Sequence, residues 1–150
     1  MARSLGLDIG KRRIGVATCD TLKVIARPLD IIDRRTQDAI GAIIAHAQTQ
    51  QVDEIVVGYP YHASGAVSEQ AQSVERFIDA LRARGNISIV YCDERYSTGE
   101  AREIMGAQRR LGAGQHDDAI AAAVILQRYL DARRDQSIDE REDDSYSADA

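Results

Sequence analysis

Leu5-Gly6-Leu7-Asp8-Ile9-Gly10-Lys11-Arg12-Arg13-Ile14-Gly15-Val16-Ala17 reads as two short apolar strands joined by a glycine-and-basic turn. Period-2 alternation puts Leu5, Leu7 and Ile9 on one face of the first strand and Gly6 and Asp8 on the other. Asp8 is therefore aimed away from the main apolar face, with a glycine beside it that leaves that side uncrowded. A carboxylate half-sunk in a sheet is costly unless something cationic meets it. Taken alone, an Asp-x-Gly at a strand end is an ordinary turn cap, so the weight of the reading falls on acidic residues further along.

Outward from this hairpin, Val24 to Ile32 continues as a third strand, which Pro28 confines to an edge or bulge position. The pattern then changes. Thr36 to Gln50 carries Ala39, Ile40, Ile43, Ile44 and Ala47 at helical spacing, with Thr36 or Asp38 as its start. Ile55-Val56-Val57-Gly58 is a buried strand, and Val67, Ala71, Val74, Ile78 and Leu81 form one stripe of a helix that ends at Gly85. Ile87 to Tyr91 gives another short strand, Glu100 to Met105 a helix, and Ala119 to Leu130 a longer one. Alternating helices and strands after a hairpin-rich opening predict an α/β fold: a mixed five-stranded sheet, its first three strands antiparallel, with helices on both faces.

The 150 residues favour one domain, and 44% hydrophobic with 29% charged residues is the balance of a globular protein. The longest apolar runs fall far short of a membrane span and the first residues carry no signal-peptide pattern, so a cytoplasmic protein is expected. Cys19 and Cys92 have no metal-ligand spacing and read as buried reduced thiols. The net charge of −5 is carried by residues 131–150, leaving residues 1–130 neutral. We expect a folded domain over 1–132 and an acidic disordered tail over 133–150. A nucleic-acid partner would need a local basic patch on the neutral body, and its binding would be salt-dependent.

Three acidic positions stand out. Asp8 ends the first strand, Asp93-Glu94 follows the strand Ile87–Cys92, and Asp117-Asp118 opens the last helix. Ligands in open α/β sheets bind at the carboxyl ends of the strands, and a helix starting at that edge brings its first carboxylates to the same place. Singly, Asp93-Glu94-Arg95 is a salt-bridge cluster and Asp117 or Asp118 a first-turn acid. Together they repel one another, a penalty that hard divalent cations remove. Two Mg²⁺ or Mn²⁺ ions roughly 3.5–4 Å apart can activate water and stabilise a leaving oxygen in phosphodiester hydrolysis. In that scheme Asp8 bridges the ions while Glu94 and Asp118 each hold one side.

The segments Leu5–Ala17, Ile55-Val-Val-Gly-Tyr-Pro60, Asp93-Glu-Arg-Tyr-Ser-Thr98 and Asp118–Leu126 resemble, in order, the YqgF/RuvX family of RNase H-fold nucleases. The resemblance implies an RNase H-like fold, Asp8, Glu94 and Asp118 as catalytic carboxylates, and dependence on Mg²⁺ or Mn²⁺. It also implies maturation of the 5′ end of pre-16S rRNA, or in some members Holliday-junction cleavage. One stretch departs from the family pattern: Tyr61-His62-Ala63-Ser64-Gly65 stands where a polar Asn-x-x-Gly loop is usual.

Lys11, Arg12 and Arg13 on the first turn, Arg95 beside Glu94, and Arg109 and Arg110 in the glycine-punctuated loop 106–115 are candidate phosphate contacts on a structured RNA or branched DNA. Each of these stretches is otherwise a solvated turn or a flexible connector. Tyr59 and Tyr61 are candidates for base stacking, Tyr59 being expected partly buried beside Pro60. His62 and His116 carry no assigned role. A monomer or weak homodimer is expected. Two other classes fare worse. An actin-like or sugar-kinase ATPase also opens on an Asp-x-Gly hairpin, but it needs a second lobe for which this length has no room. A non-catalytic binding module would keep three unneutralised carboxylates at a cost in stability.

Overall fold

A computed structural model describes residues 2–60, 69–93 and 117–147, the last stretch in backbone only from residue 136. The elements are β1 (Arg3–Ile9), β2 (Arg13–Cys19), β3 (Ala26–Asp33), α1 (Ala39–Thr49), β4 (Val52–Tyr59), α2 (Glu69–Arg84), β5 (Ser88–Asp93) and α3 (Asp117–Ser147). The five strands form one sheet in the order β3-β2-β1-β4-β5. β1 and β3 each pair antiparallel with β2, while β1 with β4 and β4 with β5 run parallel. The mixed α/β sheet expected from the sequence is therefore the one observed.

Pro28 sits where its missing N–H is tolerated. β3 is an edge strand, and its register shifts beside Pro28, with Val16 opposite Asp30 and Ala17 opposite Pro28, so that Leu29 bulges out. β3 begins two residues later than the sequence suggests because Asp20 takes the local amides: its Oδ1 accepts from Val24 N–H at 2.9 Å and from Ile25 N–H at 2.8 Å. Of the two start residues expected, Asp38 is the N-cap, and the helix runs from Ala39. The helix expected over Glu100–Met105, and Val67 at the head of the next stripe, lie outside the described residues.

Strand alternation sorts the core into two layers. Leu5, Leu7, Ile9, Ile14, Val16, Ile55 and Val57 face α1 and α2, meeting Ile43, Val74, Phe77, Ile78 and Leu81. On the other face Ala17, Cys19 and Val56 meet Ala122, Ile125, Leu126 and Leu130 of α3. The α3 side is built from small residues, which lets the helix lie close to the strands. A Cβ on Gly6 would stand 2.8 Å from Leu126 Cβ and 2.9 Å from the Ala122 carbonyl. The uncrowded side of β1 is thus the seat of a helix.

Two expectations need correcting. Cys19 is buried, but Cys92 is only half-buried, because β5 is an edge strand. Tyr59 is buried rather than partly so (6% exposed); its hydroxyl donates to Glu75 Oε1 at 2.7 Å and its ring meets Tyr91 edge-on at 4.9 Å. It offers no free face for a base. Separately, α3 keeps a helical backbone to Ser147. Among the described side chains of α3, Leu130 is the last buried one, and Arg133 is tied to the body through Glu54 at 2.9 Å.

Candidate active site at the carboxyl edge of the sheet

Asp8 is one residue from the carboxyl end of β1, on the face that α3 covers. Its cross-strand partner is Gly15. Neighbours across a ladder share a face, so whatever lies over Gly15 lies beside Asp8. That is Asp118: a Cβ on Gly15 would run into its backbone carbonyl oxygen. The first turn of α3 therefore rests directly on the strand next to Asp8, about 5 Å across the sheet. The absence of a side chain at Gly15 is what admits it.

The Asp118 carboxylate meets Arg13, with Oδ2 3.3 Å from Nε, and the two side chains are 36% and 45% exposed. Arg13 opens β2 at the end of the basic turn, which closes tightly with Gly10 N–H donating to the Arg13 carbonyl at 3.0 Å. A cation thus already stands on this carboxylate, in contact with water. Hard oxygen donors that accept positive charge at a solvent-open edge fit a divalent cation. Among the described residues no third His, Cys, Asp or Glu joins to complete such a group.

Of the residues singled out from sequence, the structure brings together Asp8, Asp118 and Arg13, with Lys11 and Arg12 exposed on the same turn. Glu94, Arg95, Arg109 and Arg110 lie outside the described residues, as do Tyr61, His62 and His116. Glu94 is the residue after Asp93, the last of β5. Sequence reasoning missed the part played by Gly15. Its signal was present, because alternation from Ala17 already put it on the α3 face, but nothing in the sequence said that a helix backbone would press there.

A family model described as "RuvX: Holliday junction resolvase" matches residues 2–132. The chain belongs to the RuvX family. Curated relatives are provisionally named pre-16S rRNA nucleases. One from Synechococcus elongatus is 40% identical over 135 residues, covering 88% of this chain and 91% of its own. One from Paraburkholderia phytofirmans is 41% identical over 140 residues, covering 89% and 91%. Among solved structures, Thermus thermophilus RuvC in complex with Holliday junction substrate aligns with a TM-score of 0.53 at 12% identity, covering 89% of this chain and 96% of that one. The fowlpox virus Holliday junction resolvase aligns at 0.55 and 11%, covering 87% and 99%. At such identities these structures speak for the fold, that of RNase H-like resolvases, which this RuvX chain shares.

Proposed function

We propose that this RuvX chain is a divalent-metal-dependent endonuclease hydrolysing phosphodiester bonds in structured RNA, at the 5′ end of pre-16S rRNA. The observation that carries the proposal is the seating of Asp118 on Gly15, opposite Asp8. The backbones of Asp8 and Asp118, 110 positions apart in the sequence, lie beside one another there at the carboxyl edge of the sheet. The names of the relatives at about 40% identity support the rRNA substrate.

Asp8, Glu94 and Asp118 are the residues that would hold Mg²⁺ or Mn²⁺, two ions in the proposed scheme. When bound, such ions make a nucleophile of water and stabilise the departing oxygen. Arg13 pairs with Asp118 and would be released toward phosphate were that carboxylate to hold a metal. Lys11 and Arg12 on the turn, with Arg95, Arg109 and Arg110, hold the flanking phosphates. A second reading, resolution of four-way DNA junctions, is favoured by the family description. It would require two sites facing two strands, hence a symmetric dimer, whereas a monomer or weak dimer suffices for cleavage at an RNA end. Among the described residues no helix is long and apolar enough to cross a membrane, and we place the protein in the cytoplasm with its proposed substrate.

The test is side-by-side cleavage of a 16S precursor fragment and a four-way junction with Mn²⁺, using wild type and Asp8→Asn. Cleavage of the RNA by wild type, reduced at least ~100-fold in the variant at unchanged folding, is the expected result. Mn²⁺ should also raise the wild-type Tm and not that of the variant. Equal cleavage by both proteins would reject the site, and cleavage of the junction alone would hand the substrate to the second reading.

A further inference from the structure

On the other face of the same strand end lies a groove of about 1050 Å³ between the β1–β2 turn and α2. It starts at Ile9 and Gly10, the two residues after Asp8, and its polar walls include Lys11, Arg34, Gln72, Ser73 and Arg76. Glu69 also lines it, so among the described residues three cations face one acid. On a body that is neutral over residues 1–130, that is a local excess of positive charge.

Arg34 is held firmly. Its Nη1 donates to the Gly10 carbonyl at 2.8 Å, and its guanidinium carbon lies 5.0 Å from the centre of the Phe77 ring. Its backbone N–H donates to the Arg12 carbonyl at 2.9 Å. The side chain therefore fixes the basic turn against α2. A guanidinium carries five N–H donors in one plane, and Gly10 occupies one of them. Arg76 is exposed on α2 one turn beyond Ser73, across the groove from Lys11.

We propose that this groove holds the phosphodiester backbone flanking the cleaved bond, with Arg34 and Arg76 as positioning residues that grip phosphates after the strand passes over the end of β1. The proposal rests on the nuclease reading above and deepens it. Alternation decides the geometry. Asp8 points to the α3 face and Ile9 to the α2 face, so a backbone whose reacting phosphate lies at Asp8 reaches Lys11, Arg34 and Arg76 by crossing a single strand end. A planar guanidinium stacked on a ring and still offering free N–H groups suits phosphate, which it can bind in bidentate fashion. Because phosphates are common to RNA and DNA, the groove supplies grip without choosing between them.

The experiment measures binding of the 16S precursor fragment and of the four-way junction by fluorescence anisotropy across a salt series. It uses the full chain in the Asp8→Asn background, so that binding is read without cleavage. Arg76→Glu and Arg34→Ala are compared with Arg82→Glu, a charge reversal on the same helix outside the groove. Arg76→Glu and Arg34→Ala should each weaken binding about tenfold or more on the substrate that wild type cleaves. Each should also flatten the slope of log K against log salt by about 0.7–0.9 for each phosphate no longer neutralised. Arg82→Glu should change neither. In otherwise wild-type protein, Arg76→Glu should raise KM and leave the Mn²⁺-induced rise in Tm intact, since the carboxylates lie on the other face. Arg34→Lys should recover only part of the binding, because an ammonium cannot stack and bond in two places at once. Should wild type cleave while Arg76→Glu and Arg34→Ala bind with unaltered affinity and salt slope, the groove proposal is overturned and the nuclease reading survives. If wild type neither binds nor cleaves either substrate, both fall.

Discussion

Two acidic centres lie on the same face of the same sheet, beneath the same helix, and they are built in opposite ways. Glu54, near the amino end of β4, is 8% exposed and saturated. Its carboxylate accepts from Ser4 Oγ at 2.7 Å, Lys23 Nζ at 3.1 Å, Tyr129 OH at 3.0 Å and Arg133 Nη1 at 2.9 Å. Asp118, at the carboxyl edge, meets at 3.3 Å an arginine that is nearly half exposed. A buried carboxylate whose lone pairs are filled by the protein is a fastener. A half-exposed one facing a water-accessible cation can exchange that cation for a metal. On the proposed function, the contrast assigns one acid to stability and the other to chemistry.

The largest effect expected from this contrast is at the saturated end. Glu54→Ala takes the acceptor from the buried Ser4 hydroxyl and from Tyr129 and one of two carboxylates from Lys23, and should lower unfolding stability by about 3–5 kcal/mol, read by urea denaturation. Lys23 holds a left-handed backbone (φ 56°) that its ion pairs to Asp53 and Glu54 help to maintain, so the β2–β3 turn should loosen as well. The same centre sets an acid limit. Burial pushes the Glu54 carboxyl up, but the hydrogen bonds from Ser4, Lys23 and Tyr129 and the Lys23 charge outweigh it and hold the group below its ordinary value. A folded-state value below the unfolded one gives stability that is complete above about pH 4.5 and is lost as pH falls through the lowered folded value. Wild-type Tm should therefore fall in acid, while Glu54→Gln, already destabilised, should show a flatter profile over the same range. Parallel profiles for the two proteins would remove Glu54 from the account.

Next in size is Gly15→Ala. The added methyl would meet the Asp118 carbonyl, which is backbone and cannot rotate aside. Overpacking of this kind should cost about 1–3 kcal/mol, less than the loss of Glu54. Its effect on cleavage should nevertheless be the greater, because the first turn of α3 must lift away from Asp8. Glu54→Ala, assayed well below its Tm, should retain cleavage. Gly15→Ala with wild-type activity would show that the two carboxylates need not be held this closely.

The two centres also differ in how far the sequence alone reveals them. Asp8 and Asp118 were legible because strand alternation and a helix start fix where such side chains point. The edge position of β3 was legible because Pro28 can donate no ladder hydrogen bond. The Glu54 network was not legible: Ser4, Lys23, Glu54, Tyr129 and Arg133 come from separate places in the chain, and no local period links them. Composition assigns Arg133 to the acidic tail, yet it pairs with a residue 79 positions earlier. Tyr59, expected only partly buried, proves buried for a related reason. Its partners Glu75 and Tyr91 are contributed by α2 and β5, so the full extent of its burial came from tertiary packing beyond what the neighbouring Pro60 implied.

The smallest expected effect on stability is at Arg13. An ion pair with both members more than a third exposed contributes between zero and about 1 kcal/mol, so Arg13→Ala should leave the Tm close to wild type, in contrast to Glu54→Ala. The informative readouts are two others. If Arg13 merely occupies Asp118 until a metal arrives, removing it takes away a competitor, and half-maximal thermal stabilisation should need a few-fold less Mn²⁺. If Arg13 then turns to phosphate, the same variant should raise KM and flatten the salt slope of substrate binding by the equivalent of about one phosphate. Weaker Mn²⁺ binding in Arg13→Ala would mean that the arginine orients Asp118 for the metal rather than standing in its place. The open carboxylate would then be, like Glu54, one that depends on a protein cation to hold its shape.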